Sequence, residues 1–185
     1  RVVPGNHDMI LDEAYYDDYW GDWSFEKESH NDALAEFSSR GIRILIDKSV
    51  EIQGVKIHGS PWVTRYAGWK TAFNKDSEEM VGHWQELPRD MDVLLTHMPP
   101  HGMGDRDELG HHTGCPHLAE AVRQRKPRLH VFGHVHSDFG IFDPGTENGE
   151  DSTVYVNAAS VSDCYFIGGR RAVVADVVSI SANSS

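Results

Sequence analysis

Cysteine is scarce in this 185-residue chain: Cys115 and Cys164 are the only two, and they form no C-x-x-C pair. Two isolated thiols build neither a disulfide framework nor an all-sulfur metal site. Their scarcity favours a reducing compartment, the cytoplasm. Long apolar runs are missing as well. Pieces such as Ile44-Leu45-Ile46 fall far below the roughly 20 residues of a membrane span, which excludes a membrane-crossing helix. Basic residues are outnumbered, 17 against 29 acidic ones, for a net charge of -12. That balance argues against a nonspecific binder of nucleic-acid polymers, which needs a cationic surface. The chain also lacks a starting Met: it begins at Arg1, and Val2-Val3 already reads as the end of a strand. The expectation is a chain without its opening strands.

What is present is the composition of one ordinary soluble domain, 39% hydrophobic and 25% charged. A domain of this length buries roughly 70% of the surface its unfolded chain exposes, so it needs no metal merely to fold. A metal here would point to function. Residues 1–36 hold ten acidic and two basic side chains, a local net of -8, readable as a metal-rich neighbourhood or as a solvated loop. Twelve histidines are the oddity. The apolar pattern predicts helices over 32–40, 77–87 and 115–126. It predicts strands over 43–46, 49–52, 55–58, 92–96 and 129–132, and a strand-rich tail over 139–142, 153–156, 165–167 and 172–178. The stretch from Tyr15 to Phe25 reads as irregular, and 98–114 as a long Gly/Pro/His loop. Residues 1–178 read as one domain and 179–185 as a disordered tail. Strands alternating with helices make this an α/β chain with a layered sheet.

The chemistry gathers in three places, each just after an apolar strand: Gly5-Asn6-His7-Asp8, Thr96-His97 and Gly133-His134-Val135-His136. Loops beyond the carboxyl ends of strands are where open α/β sheets bind ligands, so the three motifs are expected to converge on one pocket. Residues two apart on extended chain project to the same side, which lets His134 and His136 face that pocket together. Gly133 permits a sharp turn or a close approach before them. Imidazoles and an Asn carbonyl form a nitrogen and oxygen set suited to manganese, iron, cobalt or zinc. By independent draws from this composition, Gly-Asn-His-acid is expected about 0.005 times and Gly-His-x-His about 0.07 times in this length. His97 alone would carry no weight; its order and place at a strand end give it weight.

These motifs make the chain resemble the calcineurin-like metallophosphoesterase superfamily, whose blocks run Asp-x-His, Gly-Asp-x-x-Asp, Gly-Asn-His-Asp/Glu, a later His, and Gly-His-x-His. The last three blocks are present in that order. The chain is similar in more detail to the metallophosphoesterase-domain-containing relatives of class III phosphodiesterases, through Ile57-His58-Gly59-Ser60-Pro61-Trp62, Leu94-Leu95-Thr96-His97-Met98-Pro99-Pro100 and Pro127 to His134. The resemblance implies a layered sandwich of two mixed β-sheets flanked by helices. The first strands and the first two blocks would lie upstream of Arg1, which leaves 1–178 as the C-terminal portion of the domain. It implies two divalent metal ions, with Asn6, His97 and His134 ligating one and His136 the other.

The implied reaction is hydrolysis of a small-molecule phosphoester, a nucleotide or cyclic nucleotide among the candidates. Two metal ions would activate a bridging water and clamp the phosphoryl oxygens. His7 would donate a proton to the leaving oxygen or stabilise its charge, and Asp8 would orient or charge-stabilise the His7 ring. His101, Asp105, Arg106 and His111 are expected at the substrate entrance, with His112 beside them. The competing reading is a binding scaffold that has lost catalysis, against which intact His7, His134 and His136 argue. The residues specify no oligomeric state.

Overall fold

The computed structural model describes residues 1–22, 26–66, 68, 70–147, 150–151, 153–162, 170 and 172–177. Its elements in chain order are α1 (Glu13–Tyr19), α2 (His30–Ser39), β1 (Lys48–Ile52), β2 (Val55–Ser60), β3 (Val63–Thr64), β4 (Asn74–Lys75), α3 (Ser77–Gln85), β5 (Val93–Thr96), α4 (Pro116–Arg125), β6 (Leu129–Phe132), β7 (Gly140–Phe142), β8 (Thr146–Glu147), β9 (Glu150–Asp151) and β10 (Val154–Asn157). Six strands make one mixed sheet in the order β1-β2-β5-β6-β10-β7. The four central strands run parallel, and β1 and β7 close the edges antiparallel. The α/β expectation is met by this sheet and its helices. Among the described residues the other pairings are two-stranded ribbons, β3 with β4 and β8 with β9, rather than a second large sheet. No described helix is long and apolar enough to cross a membrane.

Strand alternation divides the core between the two faces of the sheet. Leu94 faces α3 and α4, packing with Met80, Trp84, Leu118 and Val122. Its neighbour Val93 faces the other way, toward Val55, Leu129 and Val156. The two helices are anchored at their ends. A capping box of Asp76 and Glu79 starts α3. Pro116 opens α4 and left-handed Lys126 closes it. Arg125 donates to the Leu87 and Gln85 carbonyls at 2.8 and 2.6 Å, tying the end of α4 to the end of α3.

Three expectations meet different outcomes. Residues 13–19 form α1 where irregular chain was expected, because Asp12 caps it by accepting from the Tyr15 N–H and also takes the Phe73 N–H at 2.6 Å. The predicted strand over 43–46 reduces to a single parallel bridge between Ile44 and Val2. Residues 172–177 form no strand; Val173 and Val177, four apart, instead lie over the sheet face opposite the helices. The strand expected over 165–167 and the tail over 179–185 lie outside the described residues.

His130 is the most buried histidine, fully enclosed in β6 with its Nε2 2.8 Å from the Thr96 hydroxyl. Burial pushes its pKa from the ordinary 6.5 down to about 3. As pH falls below 6.5 the unfolded chain takes up this proton before the folded one does. The stability contributed by the neutral ring is therefore complete above about pH 6.5 and is lost as pH falls toward 3, amounting to about 2 kcal/mol by pH 5. Acid-limb denaturation curves should accordingly be shallower in His130→Phe than in the wild type. Two glycines should respond oppositely to alanine. A Cβ at Gly59 would come within 2.5 Å of Leu45 Cβ and 2.8 Å of Val3 Cγ2, whereas one at Gly82, inside α3, meets nothing within 4 Å. In urea titrations Gly59→Ala should lose about 1–3 kcal/mol, and Gly82→Ala should gain about 0.5–1 kcal/mol.

Candidate metal centre at the strand ends

Because the central strands are parallel, their carboxyl ends lie on one side of the sheet. β5 ends at Thr96 and delivers His97 there; β6 ends at Phe132 and delivers His134 and His136. The Gly133 N–H donates to the His97 carbonyl at 3.1 Å, so the two histidine-bearing loops are stitched together at their roots. Val2 joins Ile44 alongside, and the chain then turns through Gly5. That turn is closed twice: the Asp8 N–H donates to the Gly5 carbonyl at 3.0 Å, and Asp8 Oδ2 accepts the Gly5 N–H at 2.6 Å. The Asp8 carboxylate thus engages the turn through Oδ2. It holds the backbone that carries Asn6 and His7.

Asn6, His97 and His134 meet. Asn6 Oδ1 lies 2.8 Å from His97 Nε2, and His134 Nδ1 lies 3.1 Å from the same nitrogen. Gly5 makes room for this. A Cβ there would fall 2.5 Å from His97 Cε1 and within 2.9 Å of both ring nitrogens. Burial, with the neighbouring His134, His7 and His136, pushes the His97 pKa down to about 3. Burial, with His136 and His7, pushes His134 to about 4. Both rings are neutral at physiological pH and keep a lone pair for a cation.

His134 adopts φ +67°, a left-handed conformation that costs a branched or bulky side chain of order 1–3 kcal/mol. The pairing of His134 and His136 is therefore not the strand alternation expected. The chain leaves β6 and bends at His134 itself, yet both imidazoles border the same cavity. That cavity is about 810 Å³, and Asn6, His7, His97, His134 and His136 all line it. The convergence of the three motifs is a geometric fact of the fold. Among the described residues no three His, Cys, Asp or Glu side chains form a closed metal-holding group. The Asn6, His97 and His134 set is two imidazoles and an amide, an open cluster.

The loop 98–114 reaches the cavity, but through other residues than expected. Asp107, Glu108 and Thr113 line it; His101, Asp105, Arg106 and His111 do not. Asp105 is completely buried, its Oδ2 accepting from the Gly102 and Gly114 N–H groups at 3.0 and 2.9 Å and its Oδ1 2.5 Å from His112 Nδ1. A carboxylate needed by three donors inside the loop cannot also face a substrate. Arg106 turns outward to the Gly110 carbonyl, and His111 pairs with Asp107. His101 stacks at 5.2 Å on His112.

The cavity wall also holds Thr64, Tyr66, Thr71 and Asn74, which sequence reasoning passed over. The available signal was the position of Trp62, just past the end of β2, a fourth parallel strand whose carboxyl end opens on the same side. Trp62 itself braces this edge, donating to Asp47 Oδ2 at 2.7 Å and meeting Phe73 edge-on.

The calcineurin-like phosphoesterase family model matches residues 1–138. Metallophosphoesterase domain-containing protein 1 of Homo sapiens is 33% identical over 168 residues, covering 85% of this chain and 49% of that protein. A UPF0046 protein of Caenorhabditis elegans is 42% identical over 173 residues, covering 85% of this chain and 54% of its own. A solved crystal structure matches with a TM-score of 0.54 at 20% identity, covering 85% of this chain and 56% of that one, a likeness of fold. The chain spans about half the length of the curated relatives it matches.

The Gly5 contact yields a selective test. Gly5→Ala should displace the His97 ring and lower affinity for added manganese at least tenfold by calorimetric titration, while the circular dichroism spectrum stays that of the wild type.

Proposed function

The chain belongs to the calcineurin-like phosphoesterase family, and from that premise we propose that it carries part of a metal-assisted phosphodiesterase centre built on Asn6, His97, His134 and His136. The carrying observation is the meeting of Asn6 Oδ1 and His134 Nδ1 on His97 Nε2, at 2.8 and 3.1 Å. Two donors bound about 2.1 Å from one cation at right angles stand about 3 Å apart, so these spacings fit a shared ion. The donor set is neutral nitrogen and oxygen, which suits manganese, iron, cobalt or zinc. In this reading Asn6, His97 and His134 hold one ion and His136 contributes to a second, the remaining ligands coming from outside these residues. Bound divalent ions would polarise the phosphoryl group and supply a strong water nucleophile at neutral pH.

The chain's own residues then have separable tasks. His7 is exposed on the cavity beside the half-buried His97 and His134. It is placed to pass a proton to a departing alkoxide. Asp8 fixes the turn that presents it. Thr64, Tyr66, Asn74 and Thr113 line the rest of a cavity large enough for a nucleotide-sized ester. Asp107 and Glu108 on the same wall disfavour further negative charge, and this supports a singly charged diester or cyclic phosphate over a dianionic monoester.

Manganese-loaded protein that includes the remaining ligands should hydrolyse bis(p-nitrophenyl) phosphate in preference to p-nitrophenyl phosphate. His7→Ala should lower kcat about 10²–10⁴-fold with metal content unchanged, whereas His97→Ala and His134→Ala should lose the metal. Equal metal loss in all three would overturn the division of roles. Tight manganese binding without turnover would favour a binding scaffold.

A further inference from the structure

His130 takes no part in the cavity, yet its hydrogen bonding bears on the turn that presents His97. The Thr96 hydroxyl has one proton, and it goes to the Met98 carbonyl at 2.7 Å, since a carbonyl can only accept. The contact between Thr96 Oγ1 and His130 Nε2 at 2.8 Å must then be donated by the imidazole. This fixes the tautomer: His130 carries its proton on Nε2, and Nδ1 is a bare acceptor. That Nδ1 is buried without a hydrogen-bond partner among the described residues. Phe132 and Tyr155 surround the ring at 5.0 and 5.9 Å between centroids. A histidine is an expensive filler for such a place, because an unsatisfied buried acceptor opposes folding where a hydrocarbon of the same shape would not.

Its one satisfied bond lies at an informative point. Thr96 and Met98 flank His97, so the side chain of Thr96 closes a two-residue turn with His97 at its apex. The hydroxyl rotor of Thr96 is free in principle. The His130 N–H, pointing at its lone pairs, leaves the proton only the Met98 direction.

We propose that His130 is a positioning residue for His97, acting through Thr96: its Nε2–H locks the hydroxyl that holds the turn, and the turn holds the His97 imidazole against Asn6 and His134. This rests on the metal-centre reading above for its consequence, though not for its geometry. The same chain explains why the imidazole stays neutral, since a second ring proton would find no acceptor in that apolar shell.

The test uses the 185-residue chain, with manganese alone as the probe, at pH 8. His130→Phe should weaken manganese binding about tenfold, the low end for outer-shell partners, while its melting temperature stays equal to or above the wild type's. His130→Gln, which can still donate an N–H to Thr96, should retain most of the affinity. Thr96→Val should weaken binding at least as much as His130→Phe, and the double variant should lose no more than Thr96→Val alone. Imidazole ¹H–¹⁵N spectra without metal supply an independent readout. The His97 signals should be sharp in wild type and His130→Gln, and broadened or doubled in His130→Phe. Unchanged His97 signals in His130→Phe, or affinity losses that add to those of Thr96→Val and track a falling melting temperature, would overturn the proposal. A wild type that binds no manganese would count against the metal-centre reading, and the His97 spectra would still decide the role of His130.

Discussion

The contact between Gly5 and the His97 ring is the constraint on which the site depends. A side chain as small as a methyl group would overlap the imidazole by more than an ångström. Only with that space empty can the first turn of the chain descend onto the end of β5 and bring Asn6 into contact with His97. The same turn must be rigid to be useful, and Asp8 makes it so by accepting the Gly5 N–H. On the far side, the bond from Gly133 to the His97 carbonyl draws in the end of β6. Asn6 and His134, 91 and 37 residues from His97 along the chain, are thus registered on its ring by one missing side chain and two hydrogen bonds to the backbone.

This registration has an electrostatic counterpart. The chain is strongly acidic, and residues 1–36 carry much of the charge. At the strand ends the groups that converge are imidazoles and an amide, with His97 and His134 held neutral by burial and by neighbouring rings, and the cavity's carboxylates, Asp107 and Glu108, stand on its loop wall. Carboxylates nearby are turned to other work, Asp8 to a turn, Asp105 to a loop interior, and Asp12 to a helix cap. A cluster of neutral bases inside a negative surface favours cations at short range, and the strained backbone of His134 shows how tightly the fold specifies their directions.

How much of this was legible in the sequence follows from what each residue depends on. Gly5 to Asp8, His97, and Gly133 to His136 could be read because residue identity carries their chemistry and each follows an apolar strand. The parallel strands and α3 and α4 could be read because their apolar spacing is regular. Helix α1 could not, since Tyr15, Tyr16, Tyr19 and the intervening acids give no aliphatic period and its start depends on Asp12 reaching Phe73 across 61 residues. The tail segment misled in the opposite sense: Val173, Val174 and Val177 are good strand formers, but pairing needs a free neighbouring edge, and two of them cover a sheet face instead. Asp105 misled because polarity in a Gly-rich loop suggests exposure, whereas three inward-facing donors required a carboxylate at the loop's centre.

That buried carboxylate has a thermodynamic corollary. With Asp105 holding Gly102, Gly114 and His112 from within, and Gly114 so close to the Pro100 carbonyl that a Cβ would stand 2.5 Å from its oxygen, the 98–114 segment is ordered before anything enters the cavity. A guest meeting Asp107, Glu108 and Thr113 finds a finished wall and incurs no entropy of loop folding. Its association carries the small heat-capacity change of a preformed pocket, not the large one of coupled folding.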